Sequence, residues 1–313
     1  MQLSKRLVNA SSRSKTRRSN AARRETKWFF IFISPWLIGF LLFTLYPMVA
    51  SAFYAFHEYN IVNMEYIGLG NFQELFQDKI FLKSLIVTAT YVCVSVPLSI
   101  VAALSVAVLL NQKVPFLSFW RTLYYLPSII SGVASALLWR WIFNGKFGIF
   151  NNILANFGII GPDWFNSQIW AMPAYWIISL WGIGGSMVIY LAALQGVPTA
   201  LYEAAEVDGA SAITRFFKIT IPMISPVILY TLVTNTISSF QVFTMIYVIS
   251  GGNGGPNYAT MVYVLYLFKN AFQWNRFGYA SAMAWILFII IAVLTVIMIR
   301  VMSKRVYYEE PGS

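Results

Sequence analysis

The ionisable side chains that could do acid–base chemistry in the body of this sequence are concentrated in one stretch, residues 201–222, "LYEAAEVDGASAITRFFKITIP". No other Asp, Glu, Lys or Arg occurs between Asp163 and Lys269. Glu203 and Glu206 have the residue types of a general acid–base pair. In a loop between apolar segments, a solvated helix face is the more common role of such a pair. The stretch holds Glu203, Glu206, Asp208, Arg215 and Lys218.

Metal-dependent and nucleophilic enzymes are disfavoured by the residue inventory. The sequence has one histidine, His57, and one cysteine, Cys93, which excludes a disulfide framework and a conventional His/Cys metal cluster. No nucleophile near His57 suggests a Ser–His–Asp triad. Cys93 lies in an apolar run, where we expect a small buried hydrophobic residue. We therefore predict no catalytic residue and no metal site in this chain.

A phosphate-binding loop is also missing. The pattern G-x-x-x-x-G-K-[ST] does not occur, and "NGKF" at residues 144–147 lacks both the upstream Gly and the Ser or Thr. The chain therefore cannot bind and hydrolyse ATP by this device. If it takes part in active transport, we expect the energy to come from another subunit.

The composition indicates a membrane protein. Hydrophobic residues make up 58% of the chain and charged residues only 11%, whereas soluble domains carry about 25% charged residues. Six segments are long and apolar enough to cross a bilayer as helices, so we predict an all-α membrane protein with six transmembrane helices. These segments are Trp28–Ala50, Leu85–Leu110, Leu123–Ile142, Ile169–Leu191, Pro226–Ser250 and Ala280–Met302.

The distribution of Lys and Arg predicts the orientation. If the N-terminus is cytosolic, 16 of the 22 Lys and Arg residues fall in cytosolic segments, as the positive-inside rule favours. Nine of them lie in residues 1–27, which we interpret as a basic cytosolic tail near anionic lipid headgroups, not as a nucleic-acid-binding arm. We predict a transmembrane domain at 28–306 and a cytosolic C-terminal tail at 307–313, with both termini and the charged stretch in the cytosol.

Local signals predict two short helices at an angle within residues 199–222, named here the charged hairpin. Thr199 is a candidate N-cap, Gly209 can take a left-handed C′ conformation, and Ser211 can cap a second helix running from Ala212 to Thr220. Pro222 is expected to end that helix. A cornered hairpin with small residues suits a partner's groove, although a plain solvated loop remains an alternative on these signals alone.

The charged hairpin resembles the EAA loop of binding-protein-dependent ABC importer permeases, whose pattern is E-A-A, three residues, G, nine residues and I-x-L-P. The sequence matches it with Glu203-Ala204-Ala205, Gly209 and Ile219-x-Ile221-Pro222. Ile221 in place of Leu is the one departure. The resemblance runs from about residue 28 to 306 and is to the carbohydrate-uptake branch, in particular to the maltose-type first permease subunit.

This resemblance implies a type I importer permease fold in a bacterial cytoplasmic (inner) membrane, with further subunits around it. The expected partners are a second permease subunit in a heterodimer, two ATPase subunits that bind ATP and Mg²⁺, an external solute-binding protein and a sugar. The EAA loop would sit in a cleft of the ATPase. Glu203, Ala204, Ala205 and Gly209 are the implied coupling residues, with Glu203 as the charged contact and Gly209 as the corner.

The resemblance also implies a sugar pathway between the third, fourth and fifth spans. The run "TNTISSFQ", residues 234–241, is the most polar in any span, and uncharged donors and acceptors suit a neutral sugar, although hydrogen bonding between helices is an alternative role. Trp139, Trp141, Trp176, Trp181 and Tyr190 are candidate stacking or interface residues. The pathway candidates are Ser128, Gly132, Ile178, Gly182, Asn235, Thr236, Ser239 and Gln241.

Two other transport functions remain open at this point. One is an importer permease for a non-sugar solute such as a glycerol-phosphate-like compound, which the lack of cations inside the spans disfavours. The other is an ion-coupled carrier, which usually places ionisable groups within the membrane. None of the six predicted segments has such a group well inside it.

Overall fold

The computed structural model describes residues 20–112 and 114–303, with side chains from residue 24 onward. The chain divides into two units at Tyr54 and Ala55. The predicted basic tail 1–27 lies mostly outside the described residues, and the predicted tail 307–313 lies wholly outside them. Residues 20–27 already belong to the first helix, so this helix begins earlier than the predicted span at Trp28.

The first unit is one long apolar helix. It comprises α1 (Asn20–Phe40), a π-helical turn (Leu41–Leu45) and α2 (Tyr46–Tyr54). The wide π turn ends just before Pro47, whose ring and missing N–H interrupt ordinary helical bonding. In the most apolar window of Arg24–Tyr54, no residue is buried within the described structure.

The second unit begins with a small β-hairpin and a short helix. Strands β1 (His57–Tyr59) and β2 (Met64–Tyr66) pair antiparallel, with Glu58 opposite Glu65. Helix α3 (Gly70–Gln77) follows, and Asp78 then caps the long helix α4 (Lys79–Leu110) by accepting a 2.8 Å hydrogen bond from the Ile80 amide. Helix α4 therefore starts earlier than the predicted span at Leu85.

Two of the predicted spans are bent. Helices α5 (Leu117–Tyr125) and α6 (Gly132–Ile142) are separated by a 3-10 turn (Leu126–Ile129) and meet at 101°. After α7 (Ile149–Asn156), helices α8 (Ala171–Ser179) and α9 (Gly184–Gln195) flank a 3-10 turn (Leu180–Gly182) and meet at 48°. A Cβ at Gly184 would lie 2.3 Å from the Tyr124 carbonyl oxygen; glycine there lets α9 approach the end of α5.

The remaining helices include the charged hairpin and the last two spans. Helices α10 (Thr199–Val207) and α11 (Ala212–Arg215) are followed by a π turn (Phe216–Thr220) and α12 (Ile221–Met223). Helices α13 (Ser225–Phe240) and α14 (Thr244–Ser250) precede a 3-10 turn (Pro256–Tyr258) and α15 (Tyr263–Phe268). A π turn (Lys269–Gln273) leads to α16 (Phe277–Met302).

The described residues contain four helical segments that are long and apolar enough to span a membrane, or up to six if each bent pair is one span. The mainly helical prediction is confirmed, with the β1–β2 hairpin as the only sheet in the described residues. The bends at Pro127 and at the Gly182–Gly184 region follow from residues that weaken regular helix bonding.

Helix α4 is central to the second unit. It contacts α8, α9, α13 and α15, and Ala103 and Ala107 on it are fully buried. Small side chains at this four-residue spacing allow α9 to pack closely, as is usual between membrane helices. Cys93, predicted to be buried, is instead exposed on this helix, because it lies outside the faces that contact these neighbours.

Candidate functional site

The first helix of the charged hairpin begins without a side-chain cap. The N-cap is Pro198, and Thr199 is the first helical residue, so the prediction of Thr199 as the cap was wrong. Pro198 has an extended ψ of 127°, which is the non-helical backbone conformation typical of the residue before a helix. The helix therefore starts through backbone geometry instead of a hydroxyl bond.

The predicted corner at Gly209 is confirmed. Gly209 has φ +74°, its amide donates to the Glu206 carbonyl at 3.0 Å, and the Ala210 amide donates to the Ala205 carbonyl at 2.9 Å. This pair of bonds is a Schellman motif, which ends a helix with a left-handed residue at C′. A residue with a side chain would be strained at this φ.

The second helix of the hairpin is shorter than predicted. Ser211 caps it as expected, since its Oγ accepts from the Thr214 amide at 3.2 Å. Helix α11 ends at Arg215, however, and a π turn replaces its continuation to Thr220. Pro222 lies inside α12 and does not end it. The π turn just before it shifts the hydrogen-bonding register, so no helical hydrogen bond requires the amide that proline lacks.

Two side-chain contacts brace the hairpin. Arg215 Nη1 lies 2.9 Å from Glu206 Oε2, which joins the two helices across the corner. The Tyr202 and Thr220 hydroxyls lie 2.9 Å apart and are hydrogen bonded. These contacts, with the Gly209 corner, fix the angle between α10 and the segment that leads to α13.

The free face of the hairpin mixes charge with apolar side chains. Glu203 and Ala204 are exposed and Ala205 is half-buried. Val207 and Ile213 are 89% and 72% exposed. Exposed apolar side chains are unfavourable in a loop that faces only solvent, whereas the groove of a partner protein would cover them.

Two adjoining cavities, of about 250 and 350 Å³, form an uncharged channel named here the polar groove. The first lies among α4, α9 and α13, and the second among the 3-10 turn Leu126–Ile129, α6 and α8; Tyr91, Ser179, Gly182 and Val242 line both. None of the described residues that line the two cavities is charged. The hydroxyl- and amide-bearing residues around the groove are Tyr91, Ser95, Ser99, Ser128, Ser135, Tyr175, Ser179, Ser186, Asn235, Ser238 and Ser239.

The structure brings most of the predicted pathway residues into this groove. Those that line it are Ser128, Gly132, Ile178, Gly182, Asn235 and Ser239. The other two lie elsewhere: the Thr236 hydroxyl donates to the Leu232 carbonyl at 2.7 Å, and Gln241 lines an apolar groove against α16. Asn235 and Ser239 are one helical turn apart and share a face, whereas Thr236 points in a different direction.

Residues of the second span line the groove although the sequence analysis did not select them. Tyr91, Ser95 and Ser99 of α4 recur every four residues and so occupy one helix face. This polar stripe within an apolar helix is a signal that could have identified them. Ser179, Ser186 and Ser238 were also missed.

Of the candidate aromatic residues, Trp181 lines the groove. Trp139 packs edge-to-face against it, with ring centroids 5.6 Å apart. Tyr190 is buried and hydrogen bonded to Thr231, which is a structural role. Trp141 is exposed and Trp176 packs against the core, so these two do not contribute to the groove.

A second polar cluster joins distant parts of the chain and is named here the Asp78 cluster (Asp78, Glu74, Tyr266, Arg276 and Tyr279). Asp78 Oδ2 accepts from the hydroxyls of Tyr266 at 2.5 Å and Tyr279 at 2.7 Å. Arg276 pairs with Glu74 at 2.5 Å and lies 4.3 Å from the centre of the Tyr279 ring.

The electrostatics of this cluster keep Asp78 ionised. Burial alone would raise the pKa of Asp78, but hydrogen bonds from Tyr266, Tyr279 and the amides of Ile80 and Phe81 outweigh it and lower the pKa. Burial and the Asp78 carboxylate raise the pKa of Tyr266. The cluster therefore holds one carboxylate between two neutral phenols.

Comparison with known proteins identifies relatives over nearly the whole chain. The chain is 44% identical to the probable ABC transporter permease protein YesP of Bacillus subtilis, covering 94% of this chain and 96% of YesP. It is 33% identical to the lactose transport system permease protein LacF of Rhizobium radiobacter, covering 88% and 94%. A chain of a bacterial alginate ABC transporter, solved in complex with an alginate pentasaccharide-bound periplasmic protein, has a TM-score of 0.81 at 26% identity and covers 92% and 98%.

The family match covers residues 66–307, which include the charged hairpin and every described helix that lines the polar groove. These relatives are membrane subunits of transporters, not enzymes, and the apolar helices make this chain a multi-pass membrane protein. The chain belongs to the family of binding-protein-dependent transport system inner membrane components.

Proposed function

We propose that the chain is a membrane subunit of an ATP-driven importer that moves a sugar or oligosaccharide from an external binding protein into the cytosol. The observation that carries the sugar assignment is the polar groove, which is rich in hydroxyl groups and free of charge among the described residues. Such groups exchange hydrogen bonds with the hydroxyls of a sugar without the cost of burying a charge. A lactose permease among the relatives supports this substrate class.

The charged hairpin is the proposed coupling element. Its exposed face offers Glu203, Val207 and Ile213 to a groove of the ATPase, while Gly209 and the Arg215–Glu206 pair hold its shape. Closure of the ATPase around ATP and Mg²⁺ would move the hairpin and thereby switch the groove between its two openings. Because the sequence has no phosphate-binding loop, ATP hydrolysis belongs to the partner subunit.

The proposed assembly has two permeases, two ATPase subunits and an external binding protein. Both termini and the charged hairpin lie in the cytosol of a bacterial cell, in agreement with the Lys and Arg distribution. A second permease would supply the rest of the wall around the polar groove. The solved alginate transporter contains a saccharide-bound periplasmic protein, which supports the presence of a binding protein here.

Two measurements test this function. The cognate binding protein is screened against lactose, maltotriose and trehalose, and the saccharide that binds is then followed into proteoliposomes containing the whole complex with internal ATP. We expect uptake that depends on both ATP and the binding protein. Uptake driven by a proton or sodium gradient without ATP would instead indicate an ion-coupled carrier.

The coupling residue is tested by Glu203→Lys, with Glu65→Lys as a matched control. Both glutamates are exposed, but Glu65 lies on β2, away from the charged hairpin. We expect Glu203→Lys to reduce ATPase co-purification and stimulated ATP hydrolysis at least about tenfold through charge reversal at a docking surface, and Glu65→Lys to leave both unchanged. Equal behaviour of the two variants would contradict the coupling role.

The lining of the groove argues against a glycerol-phosphate-like substrate, since a phosphate would find no cationic partner among the described residues that line it. Uptake of sn-glycerol 3-phosphate by the intact complex, at a rate comparable to the bound saccharide, would favour that alternative.

A further inference from the structure

Helix α4 presents a polar stripe to the polar groove. Tyr91, Ser95 and Ser99 line the first cavity together with Asn235 and Ser239 of α13. The other exposed faces of α4 carry apolar side chains such as Ile86, Val94 and Val101. The stripe is therefore a distinct feature of the groove-facing side of this helix.

The Ser95 hydroxyl is the unusual member of the stripe. Ser95 is only 2% exposed, and its hydroxyl has no hydrogen bond to any described residue. The Tyr91 hydroxyl, one turn earlier, lies near the Ser95 hydroxyl, but the pair does not meet the geometry of a hydrogen bond.

Ser84, Thr88 and Thr90 on the same helix have hydroxyls that are satisfied within it. Ser84 Oγ donates to the Phe81 carbonyl at 2.7 Å, and Thr88 Oγ1 donates to the Ser84 carbonyl at 2.9 Å. A buried hydroxyl without a partner costs about 1–3 kcal/mol in general, and helical serines usually avoid this cost by bonding to the preceding turn. Ser95 therefore differs from its neighbours in being left for a partner outside the helix.

We propose that Ser95 and Ser99 are specificity-determining residues that hydrogen-bond the hydroxyl groups of the sugar as it passes through the groove. This inference rests on the proposed function and extends the pathway from the third, fourth and fifth spans to the second. The sugar would lie between the α4 stripe and the amide of Asn235. It would satisfy the Ser95 hydroxyl, which is left unpaired by the described residues.

The first experiment asks whether the stripe faces an aqueous path. In a Cys93→Ser background, which removes the sole native thiol, Ser99→Cys and Val94→Cys are each introduced into the complete transporter. The probe is 2-(trimethylammonium)ethyl methanethiosulfonate, applied without nucleotide and with ATP plus vanadate. We expect Ser99→Cys to react at least about tenfold faster than Val94→Cys in one of these states, because charged reagents reach water-filled paths and not lipid-facing sites. Equal rates for the two variants in both states would overturn the proposal.

The second experiment separates recognition from folding. Transport of the saccharide identified by the binding-protein screen is measured for Ser95→Ala, with Ser84→Ala as the control that loses a hydroxyl bonded only within α4. We expect Ser95→Ala to raise the half-saturating concentration, or to lower the uptake rate at low substrate, about fivefold. Ser95→Thr, which keeps the hydroxyl, should restore at least half of the loss.

The outcomes distinguish this inference from the proposed function. If the wild-type complex imports no saccharide, the proposed function fails. If the wild type imports the saccharide but Ser95→Ala and Ser84→Ala behave alike, the function stands and the role of the α4 stripe is overturned. A loss in Ser95→Ala that Ser95→Thr does not relieve would assign Ser95 to packing and also overturn the proposal.

Discussion

The charged hairpin and the Asp78 cluster are both small groups of charged and hydroxyl-bearing residues, but they connect the chain over different distances. In the hairpin, the Arg215–Glu206 and Tyr202–Thr220 contacts join residues 9 and 18 positions apart. In the Asp78 cluster, the side-chain hydrogen bonds join residues 188 to 202 positions apart. The hairpin can therefore form and move as a local unit, whereas the Asp78 cluster ties the start of α4 to the segment around α15 and α16.

This difference assigns the two clusters to different tasks. Contacts close in sequence constrain the shape of one segment and add little to the stability of the whole domain. Contacts across most of the chain stabilise the folded state against separation of its parts. We expect changes in the hairpin to alter coupling and changes in the Asp78 cluster to alter stability.

The largest effect is expected from Gly209→Pro. Proline fixes φ near −65° and cannot adopt the +74° of this corner, so the hairpin should lose its shape and stimulated ATP hydrolysis should fall about 100-fold or more, since a docking element is removed entirely. The melting temperature of the purified permease should change little. ATP hydrolysis with the binding protein and saccharide present, together with thermal unfolding in detergent, measures both effects.

Gly158→Pro is the matched control for this corner. Gly158 has φ +73° and closes α7 with the same pair of bonds, from its own amide to Ala155 and from the Ile159 amide to Leu154. The same backbone damage outside the hairpin should leave ATP hydrolysis within about twofold of the wild type, because its effect is confined to local stability. Equal loss in both variants would show that the hairpin has no special part in coupling.

A smaller effect, on stability, is expected from Asp78→Ala. It removes the cap of α4 and leaves the hydroxyls of Tyr266 and Tyr279 without their acceptor. We expect the free energy of unfolding to fall by about 2–3 kcal/mol, while stimulated ATP hydrolysis per folded transporter stays unchanged. Glu65→Ala, which removes an exposed carboxylate without such contacts, should be close to neutral in the same unfolding measurement.

The pH dependence of stability sharpens the same contrast. The pKa of Asp78 is lowered in the folded state from its ordinary value of 3.8, so its contribution to stability is present above that value. It is lost as the pH falls through the lower folded-state pKa. The difference in melting temperature between wild type and Asp78→Ala should be constant from pH 7 to about pH 5 and shrink below about pH 4. A difference that grows on acidification would contradict this assignment.

The smallest effect is expected from the brace within the hairpin. The side chain of Glu206 is 72% exposed, and exposed ion pairs contribute about 0.2–1 kcal/mol. A double-mutant cycle with Glu206→Gln and Arg215→Gln, measured on ATPase binding affinity, should therefore give a coupling energy below about 1 kcal/mol. A larger value would show that the brace is desolvated in the complex with the ATPase.

The same distinction between local and distant contacts explains what could be predicted from the sequence. The Gly209 corner and the Ser211 cap depend on residues within a few positions, and both predictions were confirmed. The role of Thr199 as a cap was wrong because Pro198 already sets the chain direction. The mainly helical fold followed from apolar segment length, although the 101° bend between α5 and α6 depends on how these helices pack.

The polar groove was predicted less completely because its wall comes from helices that are distant in sequence. Asn235 and Ser239 were found in the polar run of α13, but only their placement on one face separates them from Thr236. Tyr91, Ser95 and Ser99 recur every four residues, which is a sequence signal of a polar helix face, but only the packing of α4 shows that α9 and α13 lie on that side. No local signal in the sequence shows that the Ser95 hydroxyl lacks a partner.

Helix α13 connects the charged hairpin to the polar groove. The charged hairpin ends just before this helix, at a break where Ile224 has φ −91° and ψ 4°, and Asn235 and Ser239 lie near its other end. A rigid helix of this length places Ser239 about 20 Å from the break, so a tilt of about 5° would displace its Cα by about 2 Å. A shift of that size exceeds the tolerance of a hydrogen bond, so a small movement of the hairpin is enough to make or release a contact with the sugar.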